Sequence, residues 1–441
     1  MSQTHRSAAS PLRDGMPSRN GTAPDATRAP APPDIRAALY ARLLNDVERH
    51  ALTGQDRAVV RPYLEETLAR YLRDYPDLSQ ADANRIIRDL CDDIVGFGPL
   101  EPLLREPLVT DIMVNRYDRV YIQRHGVKTQ TGVRFRDEDH LRFVIARIAE
   151  LGGRRIDAST PMGDVRMPQG FRAHAAIPPV AVDGPCLAIR LFPAQPLTLD
   201  AMVARGSFRA EVAEYLRHAV RHRFTLLFTG GTGAGKTSLL NACAAAMPPD
   251  ERIVSIEEAA ELRLPLANWI RWETRASNIE GRGEITQAHL VRHALRQNPD
   301  RIIVGEVRGG EALDMLQAMN TGHRGSMSTL HANGPAHALD RLEVLARWDS
   351  GLPGDVVRRL IAGAIEAIVH LERRPDGRRA VAEIAEVTGA DRDAVQLQTI
   401  FRWERDSDAA VPTGVPSQLW QRLRQAGLAV PPLYAPAASM G

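Results

Sequence analysis

The sequence predicts an α/β protein in which a parallel sheet wound with helices follows a smaller α+β region and a helical leader segment. Three observations carry that prediction. From Phe224 onward, short apolar runs alternate with amphipathic stretches, and several runs are continuous, as strands buried on both faces of a parallel sheet are. Before Pro193 the pattern is instead of short, half-buried strands around one helix. Between these two grammars and the chain's end lies a glycine-rich loop joining an apolar strand to an apolar helix.

The elements follow in order. Residues 1–35 are rich in Pro, Ala, Ser and Gly without apolar periodicity and read as a disordered leader. Over 36–95 the spacing turns helical, with Leu39, Leu43, Leu44 and Val47, then Ile86, Ile87, Leu90 and Ile94, recurring every three or four positions. Over 96–192, the runs DIMV, RVYI and CLAIRLF read as strands of an α+β domain. A helix over 137–151 lies between them, with Asp137 as its N-cap and Gly152-Gly153 as its stop. Pro193 and Pro196 open a linker, 193–207, and the final domain spans 208–441. That domain starts with a helix showing Phe208, Val212, Leu216 and Val220 on one face. Strands are expected at 224–228, 253–256, 269–272, 302–304 and 326–330, then at 367–371, 380–384 and 395–401 on the far edge. A helix over 417–428 precedes a Pro/Ala-rich tail.

Composition removes several function classes. Lys+Arg 56 against Asp+Glu 54 leaves a net charge of +2, which argues against a protein that coats nucleic acid. No apolar run reaches the roughly 20 residues of a spanning helix. The first ten residues are polar, with no signal-peptide core. Cys91, Cys186 and Cys243 are scattered and form no CxxC, which excludes disulfide scaffolds and zinc ribbons and suits a reducing cytoplasm. Of the basic residues only Lys128 and Lys236 are lysine. Arginine serves wherever charge alone matters, so a lysine inside a glycine loop stands out.

That loop reads FTLLFTGGTGAGKTSLLNA. Gly230, Gly231, Thr232, Gly233, Ala234, Gly235, Lys236 and Thr237 match G-x-x-x-x-G-K-[ST] in its strand–loop–helix context, with Ser238 next in the helix. Glycines let backbone N–H groups curl around phosphate oxygens, and the helix N-terminus adds its positive end. Lys236 would pair with the β- and γ-phosphates, and the Thr237 hydroxyl would serve Mg²⁺.

Three clusters follow downstream. IVSIEEAAEL ends a strand in Glu257 and Glu258, with Glu261 one turn on, where carboxylates can polarise water or hold Mg²⁺; a solvated helix start is the plainer alternative. PDRIIVGEVRGGEA places Glu306 just past a buried strand, where the second acid of an ATPase site belongs, reaching the metal through water. TGHRGSMSTLHAN carries His323 and His331, eight apart with no third Cys or His within the run, so phosphate sensing or subunit contact fits better than a metal site. Arg172 in GFRAHAAIPP and Arg190 in LAIRLF stand out at strand edges.

The runs IEEAAEL, NIEGRGEIT and NPDRIIVGEVRGGEALDMLQAMNTGHRGSMSTLHAN resemble the hexameric ATPases of type II and type IV secretion systems. Within these, the chain is most similar to the tight-adherence (Flp) pilus assembly ATPases, the CpaF/TadA group. GFGPLEPLL, DIMVNRYDRVYI and GRRIDASTPMGDVRMPQGFRAHAAIPP agree, as does the IAEVTG…LQTIF ending; the likeness spans roughly 85–405. It implies a PAS-like N-terminal α+β domain linked to a RecA-like P-loop ATPase domain, six subunits in a ring, and ATP with Mg²⁺ bound between the domains. It also implies catalytic roles for Glu257, Glu306 and Lys236, a histidine box at His323 and His331, and γ-phosphate contacts from Arg172 and Arg190. Departures are Glu258 where the family has Asp, Gln297-Asn298 for Met-Arg, His174 for Asn and Arg324 for Asp.

The expected function is thus an ATP-hydrolysing motor for assembling a pilus or secretion machine. It would sit peripherally at the cytoplasmic face of the bacterial inner membrane and act on integral platform proteins. A conjugation or type IV secretion ring ATPase shares the same boxes. A nucleic-acid translocating motor would want a basic channel or stacking aromatics, neither of which is evident.

Overall fold

A computed structural model describes residues 42–43, 45–46, 57–71, 73, 79–124, 126–167, 170–191, 197–275, 277, 282–348 and 350–430. The expected leader 1–35 and the Pro/Ala-rich tail after Val430 lie outside the described residues, as do the positions of Leu39, Leu44 and Val47. The chain forms two compact units, residues 1–98 and 99–441.

The described residues of the first unit include the helices α1 (Arg57–Tyr71) and α2 (Gln80–Val95). The Ser79 side chain accepts from Asp82 N and caps α2. Val60, Leu64 and Leu68 of α1 pack with Ile86, Leu90 and Ile94 of α2, burying the helical-period residues read from the sequence.

The second unit begins with α3 (Glu101–Leu104), then β1 (Val109–Arg116), β2 (Arg119–Arg124) and β3 (Val127–Gln130). Next come α4 (Glu138–Leu151), β4 (Met162–Arg166), β5 (Arg172–Ala176) and β6 (Cys186–Arg190). These strands make a six-stranded antiparallel sheet in the order β3-β2-β1-β6-β5-β4. Asp137 caps α4 by accepting from His140 N, and Gly152 ends it.

The segment read as a linker contains a short helix, α5 (Leu199–Ala204), because Thr198 caps it and Leu199 and Met202 have core to cover. Then follow α6 (Ala210–Arg221), β7 (Leu226–Gly230), α7 (Lys236–Ala244), β8 (Ile253–Glu257) and β9 (Trp269–Glu273). After these come α8 (Gln287–Ala294), β10 (Arg301–Val307), α9 (Glu311–Asn320), β11 (Met327–Leu330), α10 (Pro335–Arg347) and α11 (Gly354–Ala364). The last elements are β12 (Ala367–Arg373), β13 (Arg379–Ala390), β14 (Val395–Glu404), β15 (Ala409–Pro412) and α12 (Gln418–Gln425).

These strands form one nine-stranded sheet, β15-β14-β13-β12-β7-β11-β10-β8-β9. From β9 to β12 every neighbour is parallel, and β13 to β15 extend the sheet antiparallel. Successive residues of β7 serve opposite cores. Leu226 and Phe228 pack with α6 and α7, whereas Leu227 packs with α9, α10 and α11. Burial on both faces is the physical reason that the strands read as continuous apolar runs. Two strands, β10 and β11, separate β7 from β8, and β12 flanks β7 on its other side. This parallel core, entered by a phosphate loop after β7, is the RecA-like form of the P-loop NTPase fold.

Candidate functional site

The glycine loop turns from the end of β7 into α7. Gly230 has no room for a side chain, since a Cβ there would lie 2.3 Å from the Leu371 carbonyl oxygen. Gly235 sits at φ +100°, a left-handed conformation that glycine adopts without strain, and serves as the N-cap of α7. No side chain caps α7, so the N–H groups of its first turn (Lys236, Thr237, Ser238) have neither an intrahelical nor a capping partner. Gly231, Thr232 and Gly233 are exposed beside them, while Ala234 is buried beneath the turn. Uncapped donors at a helix's positive end form an anion site. The Lys236 ammonium folds back on the loop, donating to Gly230 O at 3.0 Å and Gly231 O at 3.1 Å. Burial lowers its pKa and Arg308 adds to that, against an opposing pull from Glu306.

Four adjacent parallel strands bring functional side chains together at their carboxyl ends. His331, just past β11, has Nδ1 3.3 Å from Lys236 Nζ and Nε2 2.7 Å from Glu306 Oε1. A neutral imidazole accepts from the ammonium at Nδ1, while Nε2 lies beside Glu306 Oε1, a buried oxygen with no aligned hydrogen bond. Burial and Lys236 both lower the His331 pKa, with Glu306 in opposition. Glu306 stands where the pairing of β10 with β11 shifts register between Val304 and Val307, an irregularity that re-aims a side chain. Its Oε2 accepts from Arg308 Nε at 2.8 Å, and Arg308 reaches on to Glu258 Oε2 at 2.5 Å. Glu258, Arg308, Glu306, His331 and Lys236 thus form one continuous chain across β8, β10, β11 and β7.

Glu257 and Glu258 have separate environments. Glu258 is exposed and pairs with Arg308. Glu257 points inward, and its Oε1 accepts from Glu261 N at 2.8 Å and Leu262 N at 3.0 Å. Its Oε2 is buried with no hydrogen-bond partner. Gly305 on the neighbouring strand makes room for it; a Cβ there would meet Glu257 Cγ at 2.9 Å. Burial pushes the Glu257 carboxyl up to about 7, despite the two backbone donors. The buried, partly unsatisfied acid is the one suited to hold or pass a proton near neutrality.

Arg172 and Arg190 face each other across β5 and β6. Arg172 pairs with Asp164 at 3.3 Å and Arg190 with Asp111 at 3.2 Å. Both also act on Glu261: burial raises that carboxyl's pKa, and Arg190 and Arg172 pull it down, while Glu306 pushes it up. The two arginines of the small sheet are therefore within electrostatic reach of the acids at the phosphate loop.

His323 is not in this group. It precedes β11, at the amino ends of the strands, with Nδ1 3.0 Å from Ala318 O. The reading of His323 as a nucleotide contact does not hold for the site of its own chain, because the whole of β11 separates it from His331. One side chain of the cluster escaped sequence reasoning, Arg308 as the bridge between acids, and Glu261, expected only as a carboxylate one turn past Glu257, also feels the small sheet's arginines. Among 54 arginines, Arg308 carried only one signal, its place two residues after Glu306 in GEVRGGE.

Thr237 is half-buried in the first turn of α7, so its hydroxyl and the Glu306 carboxylate supply hard oxygen donors at the loop. Such donors fit Mg²⁺.

A family described as “Type II/IV secretion system protein” matches residues 93–413. A protein named for conjugal transfer in Mycobacterium tuberculosis is 40% identical over 332 residues, taking in 74% of this chain and 94% of that one. The conjugal transfer protein TrbB of Rhizobium radiobacter is 32% identical, over 74% of this chain and 98% of its own length. Among solved structures, the VirB11 ATPase of the Brucella suis type IV secretion system aligns at 27% identity. That alignment covers 65% of this chain and 92% of the other, with a TM-score of 0.36.

Proposed function

Because the chain belongs to the type II/IV secretion system protein family, we propose that it is an ATP-hydrolysing motor working as a homo-hexameric ring in a conjugation or type IV secretion machine. The observation that carries the reading is the chain of polar contacts from Lys236 through His331 and Glu306 to Arg308 and Glu258, laid beside an uncapped helix N-terminus.

The residues divide the work as follows. The loop from Gly230 to Gly235 and the first-turn N–H groups bind the phosphates. Lys236 leaves the carbonyls of Gly230 and Gly231 for the terminal phosphates. Thr237, and Glu306 through water, would hold Mg²⁺, which would supply neutralisation of phosphate charge. Glu257 takes the proton of the attacking water through its free oxygen. His331 reports the state of the Lys236–Glu306 pair. Arg172 and Arg190 exchange their pull on Glu261 for the γ-phosphate and so close the small sheet over the site. Among the described residues no helix is long and apolar enough to cross a membrane, so the force would pass to integral membrane partners at the cytoplasmic face.

A second reading keeps the same chemistry and changes the load. The runs GSMSTLHAN and GRRIDASTPMGDVRMPQGFRAHAAIPP favour tight-adherence pilus assembly, whereas the relatives' names favour conjugal transfer. Phosphate release from Mg²⁺-ATP, with and without single-stranded DNA, tests the class. Lys236→Ala should lower turnover at least about 100-fold, as loss of a preorganised charge does. Native mass in a slowly hydrolysed ATP analogue should be near six subunits. Normal hydrolysis by the Lys236 variant, or a stable monomer at micromolar concentration, would sink the motor.

A further inference from the structure

Arg379 has no place in the mechanism above, yet it touches the phosphate loop. It opens β13 and pairs across the hairpin with Arg373, the last residue of β12. Its aliphatic stem lies against the last loop glycine; a Cβ on Gly235 would come within 3.3 Å of Arg379 Cδ and 3.7 Å of Arg379 Cβ. The residue keeps an exposed face. Among the described residues its guanidinium has no hydrogen-bond or ion-pair partner. Packing around its stem disfavours the charged form, Arg373 adds to that, and Asp111 opposes both. Arg373 itself is held by the small sheet, donating to Gly126 O at 2.8 Å. An exposed guanidinium whose stem packs on this loop, with no carboxylate partner among the described residues, is free to take an anion that the loop binds.

Position says which anion. Glu306 and His331, which adjoin the Lys236 ammonium, come from β10 and β11 on one flank of β7. Arg379 comes from β12–β13 on the other flank, beside Gly235 rather than Lys236. The terminal phosphate belongs to the first flank and the phosphates nearer the base to the second. We propose that Arg379 is a nucleotide-binding residue whose guanidinium pairs with the α- and β-phosphate oxygens along the outer wall of the loop. The inference rests on the nucleotide reading of the loop and extends it to a residue outside every motif.

The role predicts an affinity effect shared by ATP and ADP, since both carry those phosphates. Full-length protein is titrated with a fluorescent ADP and with a slowly hydrolysed ATP analogue. Arg379→Met, which keeps a long stem on Gly235, should weaken both about tenfold, the scale of one charge-assisted hydrogen bond. Arg379→Lys should retain part of the affinity for both nucleotides. Melting without nucleotide checks that the hairpin is intact. Wild-type protein that binds neither nucleotide would remove the reading of the loop itself. Wild-type protein that binds both while Arg379→Met binds equally well would overturn the role of Arg379 alone. An equal loss in the Lys and Met variants would assign the residue to packing and overturn it as well.

Discussion

The two ends of the central parallel strands handle charge in opposite ways. At the amino ends, Arg301 is fully buried and every group around it is answered. It grips Glu251 with Nε at 2.5 Å and Nη2 at 3.1 Å, and donates Nη1 to the carbonyls of Val220 and Gly325. Arg223, at φ 57°, adds bonds to Glu251 at 2.9 Å and Asp300 at 3.0 Å, and Asp300 accepts in turn from Arg252 N. At the carboxyl ends, Lys236 is bonded to its own loop, α7 has no cap, and Glu257 Oε2 is buried with no partner. One pole is a closed network and the other is left open for a ligand. Ligands of open α/β sheets bind outside the carboxyl ends of the strands, and the difference in satisfaction gives that rule a local cause.

The largest effect expected from breaking the contrast is at the closed pole. Removing one partner of a buried ion pair strands the other, which costs about 3–5 kcal/mol. Arg301→Ala should therefore lower the midpoint of urea or thermal unfolding sharply, leaving Glu251 buried without its main partner. Lys236→Ala should leave that midpoint nearly unchanged, because its ammonium bonds only to loop carbonyls and His331. If both variants unfolded alike, the poles would not differ in kind.

A pH series sharpens the open pole. The Glu257 carboxyl, pushed up to about 7 by burial, is neutral below that value and charged above it. A base must be charged to act, so kcat/KM should climb as pH rises through about 7, and Glu257→Gln should abolish the climb along with most of the rate. Stability moves the other way. A raised carboxyl pKa favours the folded state at acid pH, and that advantage is lost as pH rises from 4.5 through about 7. Glu257→Gln should flatten this decline in the unfolding midpoint. A rising limb unchanged in the Gln variant would move the base elsewhere.

The fold was legible wherever burial is two-sided. Leu226–Gly230 and Ile253–Glu257 are buried at every position, and their apolar runs announce them. The small sheet was harder to read, because Met162–Arg166 buries only Val165 and offers no period to detect. The loop and its acids were legible because their chemistry is local in sequence. Arg308 and Arg379 were not, since an arginine among 54 says nothing until a partner is placed beside it. The linker hid α5 for a similar reason: a helix of six residues that buries only Leu199 and Met202 is too short to show a helical period.

The smallest predicted effect separates two histidines that the sequence had grouped. Between them β11 reads Met-Ser-Thr-Leu, half polar, yet it is a central strand buried at all four positions. Its hydroxyls are spent on the next strand, Ser328 donating to Val304 O at 2.8 Å and Thr329 to Gly305 O at 2.7 Å. A strand between two residues puts them at opposite poles. His331 touches Lys236 and Glu306, whereas His323 faces the carbonyl of Ala318. His331→Ala should weaken nucleotide binding or turnover by about three- to tenfold, the worth of one or two polar contacts. His323→Ala should change nucleotide affinity by less than about twofold in dilute, unassembled protein, measured by titration with a fluorescent nucleotide. Equal losses in dilute protein would mean that the poles communicate through the strand. A loss from His323→Ala that appears only on assembly would instead mean that one copy's closed pole meets another copy's open one.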